Sequence, residues 1–276
     1  MGEWAITVRR LAQSRGYAAI TVGGLALGLA GCLLILAYVR YERGYDRWMP
    51  DSDRVHQVQT TIHPPGQPVV RTQMSSFILY QRLPADFPQV EAVTSVSVGR
   101  TVTAIAGRPT FIDATTVEPE FFRVFDLPFT QGSATGALPD TNSVVLTERE
   151  AVRLLGTPRA LGRTVTLGAG DGRRDYRVTG VLKDLPRDTS LKVGIVFRRD
   201  LKALQSWQRQ WGDFDNQHFV RLKPGADAGA INAALPAWER RVIPTLTIGG
   251  KPAGMSEVFD HKLVPIAEVH LGDAQE

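Results

Sequence analysis

From Tyr17 to Val39 the sequence reads YAAITVGGLALGLAGCLLILAYV, twenty-three residues without a charged side chain. At about 1.5 Å per residue a helix over this run is roughly 34 Å long, enough to cross a hydrocarbon core of about 30 Å with some tilt. The core helix of a water-soluble protein rarely needs so long an unbroken apolar stretch. Arg15 and Arg40 mark the two returns to water. The run predicts a transmembrane helix over 17–40, and everything after it must be something that helix holds at a bilayer surface.

The formal net charge of +4 has to be located before it is read. Arg9, Arg10, Arg15 and Arg40 against Glu3 place +3 of it in the first forty residues. Arginines there meet anionic lipid, and the remainder of the chain is close to neutral. Nucleic acid is excluded as the expected partner, and the lipid bilayer takes its place. Cys32 is the one cysteine, so no intrachain disulfide can form and thiol usage does not say which side the domain faces.

Two readings of the run compete. Leu29-Ala30-Gly31-Cys32 has the small-residue form of a lipoprotein cleavage box, which makes Cys32 an alternative lipidation site, and Arg9-Arg10 faintly resembles a twin-arginine signal. Leu33 to Val39 stays apolar past the cysteine, however, where a processed lipoprotein turns polar. The retained span is therefore favoured. Within it Gly24 and Gly28 form a GxxxG and Gly31 extends the stripe of small residues, a face on which another helix can pack closely. Ahead of it, Trp4, Val8 and Leu11 fall on one helical face and suit a short interfacial segment over 1–16. Arg9, Arg10 and Arg15 before the span are matched by Arg40, Arg43 and Arg47 after it, so charge bias leaves the orientation open.

Beyond the span, strand-like and helix-like segments alternate. Val55–Ile62 reads as a strand. Ser76 caps a helix with Phe77, Tyr80 and Leu83 that ends or kinks at Pro84. Val93–Val98 is a strand, followed by a hairpin of Thr101–Ile105 and Thr110–Val117. Glu118-Pro119-Glu120 opens a short helix carrying Phe121, Phe122 and Phe125 as core residues. Ser143–Leu146 is a strand, Thr147 caps a helix over Glu148–Leu155, and Gly156 stops it. Thr164–Leu167 and Tyr176–Leu182 form a hairpin across a glycine run that lacks the order of a phosphate loop. Ile195–Phe197 and His218–Leu222 are strands, Asp227 caps a helix with Ile231, Leu235 and Trp238, and Lys262–Leu271 is a last strand. The pattern predicts an α+β fold in two lobes, a split βαβ lobe over 41–141 and 215–276 with a β-rich lobe inserted over 142–214.

The chemistry-bearing residues do not assemble into a motif. His56, His63, His218, His261 and His270 have no metal-ligand spacing, and no nucleophile elbow exists. Asp213-Phe214-Asp215-Asn216 begins like a calcium loop but lacks its glycine and distal glutamate. Asp51 and Asp53 suit capping of a polar turn. Trp207 and Trp211, four apart, suit a core more than an exposed aromatic patch. No enzymatic activity, metal or cofactor is expected.

Several segments, in order, resemble MacB/FtsX-like ABC transporter permeases. Gly24 to Ala30 looks like their first membrane helix, and Tyr41-Glu-Arg-Gly-Tyr-Asp46 with Asp53-Arg54-Val55 like the start of their extracytoplasmic domain. Glu118 to Phe125, Asn142 to Thr147, Tyr176 to Asp184 and Val264 to Leu271 resemble later blocks of the same family. The resemblance implies a cytoplasmic N-terminus, a porter-like lobe with the β-rich insert in the periplasm, and residence in a bacterial inner membrane. It also implies a role in export or mechanical transmission, an ABC ATPase subunit that handles ATP, a second permease copy, and periplasmic protein partners. The family carries further membrane helices after this domain, so the chain is expected to be the N-terminal part of a permease. The rival expectation is a single-pass or lipid-anchored periplasmic sensor or binding module.

Overall fold

The structure, a computed structural model, describes residues 15–64, 66–105, 108–168, 170–214, 216–248 and 251–272. The segment with Trp4, Val8 and Leu11 lies outside them. The chain divides into a first unit that ends at Gly44 and a second that begins at Tyr45.

In the first unit, α1 (Arg15–Glu42) covers the whole apolar run. Its membrane-length segment is wholly unburied by protein, with Ile20 78% and Leu27 77% exposed. A helix apolar on every face has no polar side to offer water, and a hydrocarbon surrounding satisfies all of it.

The second unit starts with β1 (Val55–Ile62), β2 (Val70–Thr72), β3 (Met74–Ser75), α2 (Ile78–Asp86), β4 (Val90–Ile105) and β5 (Arg108–Val117). There follow α3 (Phe121–Val124), β6 (Phe129–Gln131), β7 (Ser143–Thr147), α4 (Glu148–Leu155), β8 (Thr164–Leu167), β9 (Arg174–Leu182) and β10 (Ile195–Arg198). The chain returns through β11 (Asn216–Leu222), α5 (Ala228–Val242), β12 (Thr245–Ile248), β13 (Lys251–Gly254), α6 (Met255–Val258), β14 (Phe259–Pro265) and α7 (Ile266–Val269). The main sheet has the path β14-β1-β11-β4-β5-β10-β7-β9-β6, with β2, β3 and β8 pairing off it and β12–β13 a separate ribbon. Pairs are antiparallel except β5–β10 and β7–β9.

The sheet runs unbroken from the returning segments into the middle of the chain. β6 pairs with β9, and β10 joins β5 in parallel. Three apolar clusters follow this path. Helices α2 and α5 cover one face of β1, β4, β11 and β14 through Leu79, Leu83, Ile231, Leu235 and Trp238. Helix α4 covers β7 to β10 through Ala151. Between them Phe121, Phe122, Phe125 and Phe219 pack ring to ring at 5.0–5.1 Å, so the phenylalanines of the short helix are core as expected. Fully burying such a side chain stabilises by about 1.5–3 kcal/mol.

Local signals account for most boundaries. Thr147 accepts from Glu150 N and Asp227 from Gly229 N and Ala230 N, while Gly156 and Gly225 adopt φ of 70° and 75°. At Gly168 (φ 100°) an added Cβ would lie 2.2 Å from Gly172 O, so the glycine run is a turn between β8 and β9. Ser76 lies one residue ahead of the N-cap position, which Phe77 holds, and its hydroxyl both accepts from Ile78 N at 3.4 Å and donates to Gln210 O at 2.8 Å. Three expectations change. Pro84 lies inside α2, which continues to Asp86. Val93–Val98 and Thr101–Ile105 are one strand, because Gly99 and Arg100 keep their rungs opposite Ala114 and Asp113. The last segment is not one strand over 262–271: Pro265, lacking an N–H for a ladder, ends β14 and α7 begins.

Candidate functional site

The stretch that follows α1 in sequence is tied down by four residues. Asp46 is fully buried with φ 58°, a left-handed conformation that Asp tolerates better than most residues. Its Oδ1 accepts from Thr189 Oγ1 at 2.8 Å and from Ser190 N at 2.9 Å, and its N–H donates to Asp188 O. Asp51, also left-handed, accepts from Arg54 Nη1 at 3.1 Å and Arg221 Nη2 at 2.5 Å rather than capping its own turn. Arg54 continues to Leu222 O and to Glu91. Tyr45 stacks on His270, just past α7. Residues 45–54 are thus fastened to the 188–190 loop, to β11 and to the end of the domain at once.

A second polar network lies where β5 and β10 leave the middle of the sheet. Glu118 is fully buried and accepts from Ser95 N, from Ser95 Oγ at 2.7 Å and from Arg199 Nε at 2.8 Å. Arg199 Nη2 also donates to Asn216 at 2.6 Å. Burial pushes the Glu118 carboxyl up, with the Arg199 charge opposing. His218, buried beside it on β11, shares a hydrogen bond with Ser75 Oγ at 2.9 Å, and burial lowers it to about 3, so it is neutral. His261 N and Nδ1 both meet Glu239 Oε1 at 2.9 Å.

Between the linker and the sheet lies a cleft of about 330 Å³. On its floor Gln57 faces Phe219 across the β1–β11 ladder and Gln217 faces Val96 across β11–β4, which puts all four on one face. Gln73 Oε1 accepts from Gln57 Nε2 at 3.1 Å and, at 3.5 Å, from Gln217 Nε2, while Gln57 Oε1 accepts from Gln59. The 189–192 loop forms one wall, and Tyr45 and His270 also line the cleft.

The expected residues are distributed as follows. Gly24, Gly28 and Gly31 sit on α1, and a Cβ added at any of them meets nothing within 4 Å. Cys32, one turn after Gly28, is exposed. Of the histidines, His63 meets Asp260 at 2.7 Å, His56 lies near Arg54 O, and no three metal-ligating side chains cluster among the described residues. Asp215 is outside the described residues, and Asn216 serves Arg199. Trp211 packs edge-on to Trp238 at 6.0 Å, whereas Trp207 is 55% exposed. Sequence reasoning did not single out Asp46, Glu118, Arg199 or the glutamines as a site. Asp46 stood inside a quoted segment, but nothing local marks a glutamine whose partners come from other strands.

A helix long and apolar enough to cross a membrane is followed by a sheet-rich α+β domain. Residues 18–238 match the MacB-like periplasmic core domain, and the chain belongs to that family. The resemblance drawn from the sequence is thereby borne out. Among solved structures, a domain assigned to a permease protein from Porphyromonas gingivalis is similar at 19% identity and a TM-score of 0.63, over 80% of this chain and 92% of its own. The periplasmic region of MacB from Actinobacillus actinomycetemcomitans is matched at 12% identity and a TM-score of 0.48, over 78% and 91%. The extracellular domain of the noncanonic ABC-type transporter YknZ from Gram-positive bacteria is matched at 14% and 0.44, over 64% and 88%. No curated protein matches. The chain carries a MacB-like periplasmic core domain behind a membrane-length helix.

Proposed function

We propose that the chain is a permease subunit of an ABC transporter, or the N-terminal part of one, seated in a bacterial inner membrane with its N-terminus cytoplasmic. Its domain, divided into lobes over 41–141 with 215–276 and over 142–214, takes part in export or in mechanical transmission to periplasmic partners. The chain contributes no catalysis, and a separate ATPase subunit handles ATP. A second permease copy or further permease helices pack on Gly24, Gly28 and Gly31.

The observation that carries this reading is the fastening of residues 45–54. Asp46 grips the 188–190 loop while Asp51 and Arg54 grip β11 and β4, so displacement of the linker is handed to both parts of the sheet. A passive tether needs none of these contacts; a lever needs all of them.

The test has two arms. Protease added outside sealed spheroplasts should degrade residues 45–272 and spare the N-terminus, and protection of the domain overturns the orientation. An ABC ATPase should copurify with the chain, and Asp46→Ala should uncouple ATP hydrolysis from domain movement without lowering the amount of ATPase bound. Oxidation of the native Cys32 should cross-link two copies if the glycine face mediates self-association. Intact mass separates a retained span from processing at Cys32.

A further inference from the structure

The glutamine-lined cleft is a built polar site that the lever reading does not use. Three separate pieces of chain each bring a carboxamide to it: Gln57 from β1, Gln73 from the β2–β3 connection and Gln217 from β11. Gln57 and Gln73 are nearly buried, at 1% and 7% exposure. On the opposite wall the Oγ of Ser190 is buried with no protein partner among the described residues. A buried polar atom left unpaired is a standing cost that a ligand group can remove.

We propose that this cleft binds the main chain of a short peptide, recognised amide to amide. A peptide unit carries one donor and one acceptor, and a glutamine carboxamide presents the same pair. The chain of amides from Gln59 through Gln57 and Gln73 to Gln217 fixes the orientation of the last member, which meets the ligand together with the Ser190 hydroxyl. Val96, Leu191 and Phe219 supply apolar surface for small side chains. Among the described residues that line the cleft none is Asp or Glu and Lys192 carries a positive charge, so the cleft offers a cationic ligand no carboxylate. The cavity volume lies at the small end for ligand sites and suits two or three residues. A peptide seated there touches the sheet floor and the 189–192 loop together, and so clamps the loop that Asp46 also holds.

The experiment uses the full chain in detergent micelles and the uncharged probe N-acetyl-Ala-Ala-amide, titrated by calorimetry. Saturable one-to-one binding is expected, weakened about tenfold or more by Gln217→Leu and by Ser190→Ala. Val98→Trp, which fills the cleft from an exposed position on the same face of β4 as Val96, should abolish binding while leaving the thermal midpoint and circular dichroism spectrum unchanged. Absence of saturation overturns the proposal, as does equal binding in Val98→Trp. Equal binding of trehalose or acetate overturns it too, because either would show that the amides are not what the site reads. None of these outcomes depends on whether the chain works as a permease, since no ATPase enters the measurement.

Discussion

Tyr45 and His270 lie ring on ring, with centroids 3.5 Å apart and planes 2° from parallel. Tyr45 opens the domain and His270 follows its last helix, so the two ends of the domain meet at one point. The adjacent Asp46 adds a third segment, the 188–190 loop. Three stretches distant in sequence thus converge within a few residues of the linker.

Asp46→Ala removes two hydrogen bonds to a carboxylate and places alanine at φ 58°. A loss of about 2–3 kcal/mol is expected, with Asp46→Asn losing about half because Asn tolerates the left-handed region. Hydrogen exchange at the Ser190 amide is the sharper readout. If that amide stays protected in Asp46→Ala, the side chain does not hold the loop.

Arg199→Met leaves the Glu118 carboxyl buried without its cation, and about 3–5 kcal/mol of stability should go. Glu118→Gln combined with Arg199→Met should recover most of it, as read from urea midpoints. In Arg199→Met the carboxyl is pushed higher still, so stability falls further as pH rises above the unfolded-state value of about 4.3. A double variant no better than the single one argues against charge burial as the cause.

His218 is held neutral to about pH 3, below its ordinary value of about 6.5. Between those limits the unfolded chain takes up a proton that the folded chain refuses, so stability declines as pH falls. The slope from this one group is about 1.4 kcal/mol per pH unit below about pH 6. His218→Gln should flatten the difference between urea curves recorded at pH 7 and pH 4.5. Parallel pH dependences in the two proteins would falsify the assignment.

Asn232 on α5 acts as a substitute strand for the outer edge of β14: its Oδ1 accepts from Leu263 N at 2.8 Å and its Nδ2 donates to Leu263 O at 3.0 Å. Glu239 does the same for His261 N. Asn232→Ala should cost about 1–3 kcal/mol and bare part of an edge on which another chain can add. Light scattering after mild warming should rise in the variant, and faster exchange at Leu263 should accompany it. An unchanged Leu263 amide would refute the role.

The elements legible in the sequence are those whose cause is local. The membrane run needs only twenty-three uncharged letters, and Thr147, Gly156 and Asp227 announce their helix ends within four residues. β2, β3 and β6 went unread because two- and three-residue strands have no periodicity of their own and exist only through β1, β11 and β9. The join at Gly99-Arg100 read as a break because glycine weakens a strand in isolation; ten rungs to β5 override it. The candidate site was illegible for the same reason. Its carboxamides, and the Glu118–Arg199 pair eighty-one positions apart, become neighbours only once the strands are in register.

The unbroken β4 has a mechanical meaning. Its first half is laced to β11 and its second half runs out with β5 toward β8, so one sixteen-residue ribbon underlies both regions. Such a ribbon has no pivot. Rotation of one end against the other would have to be taken up along the whole strand as extra twist, the response of a torsion spring rather than of a door on a pin.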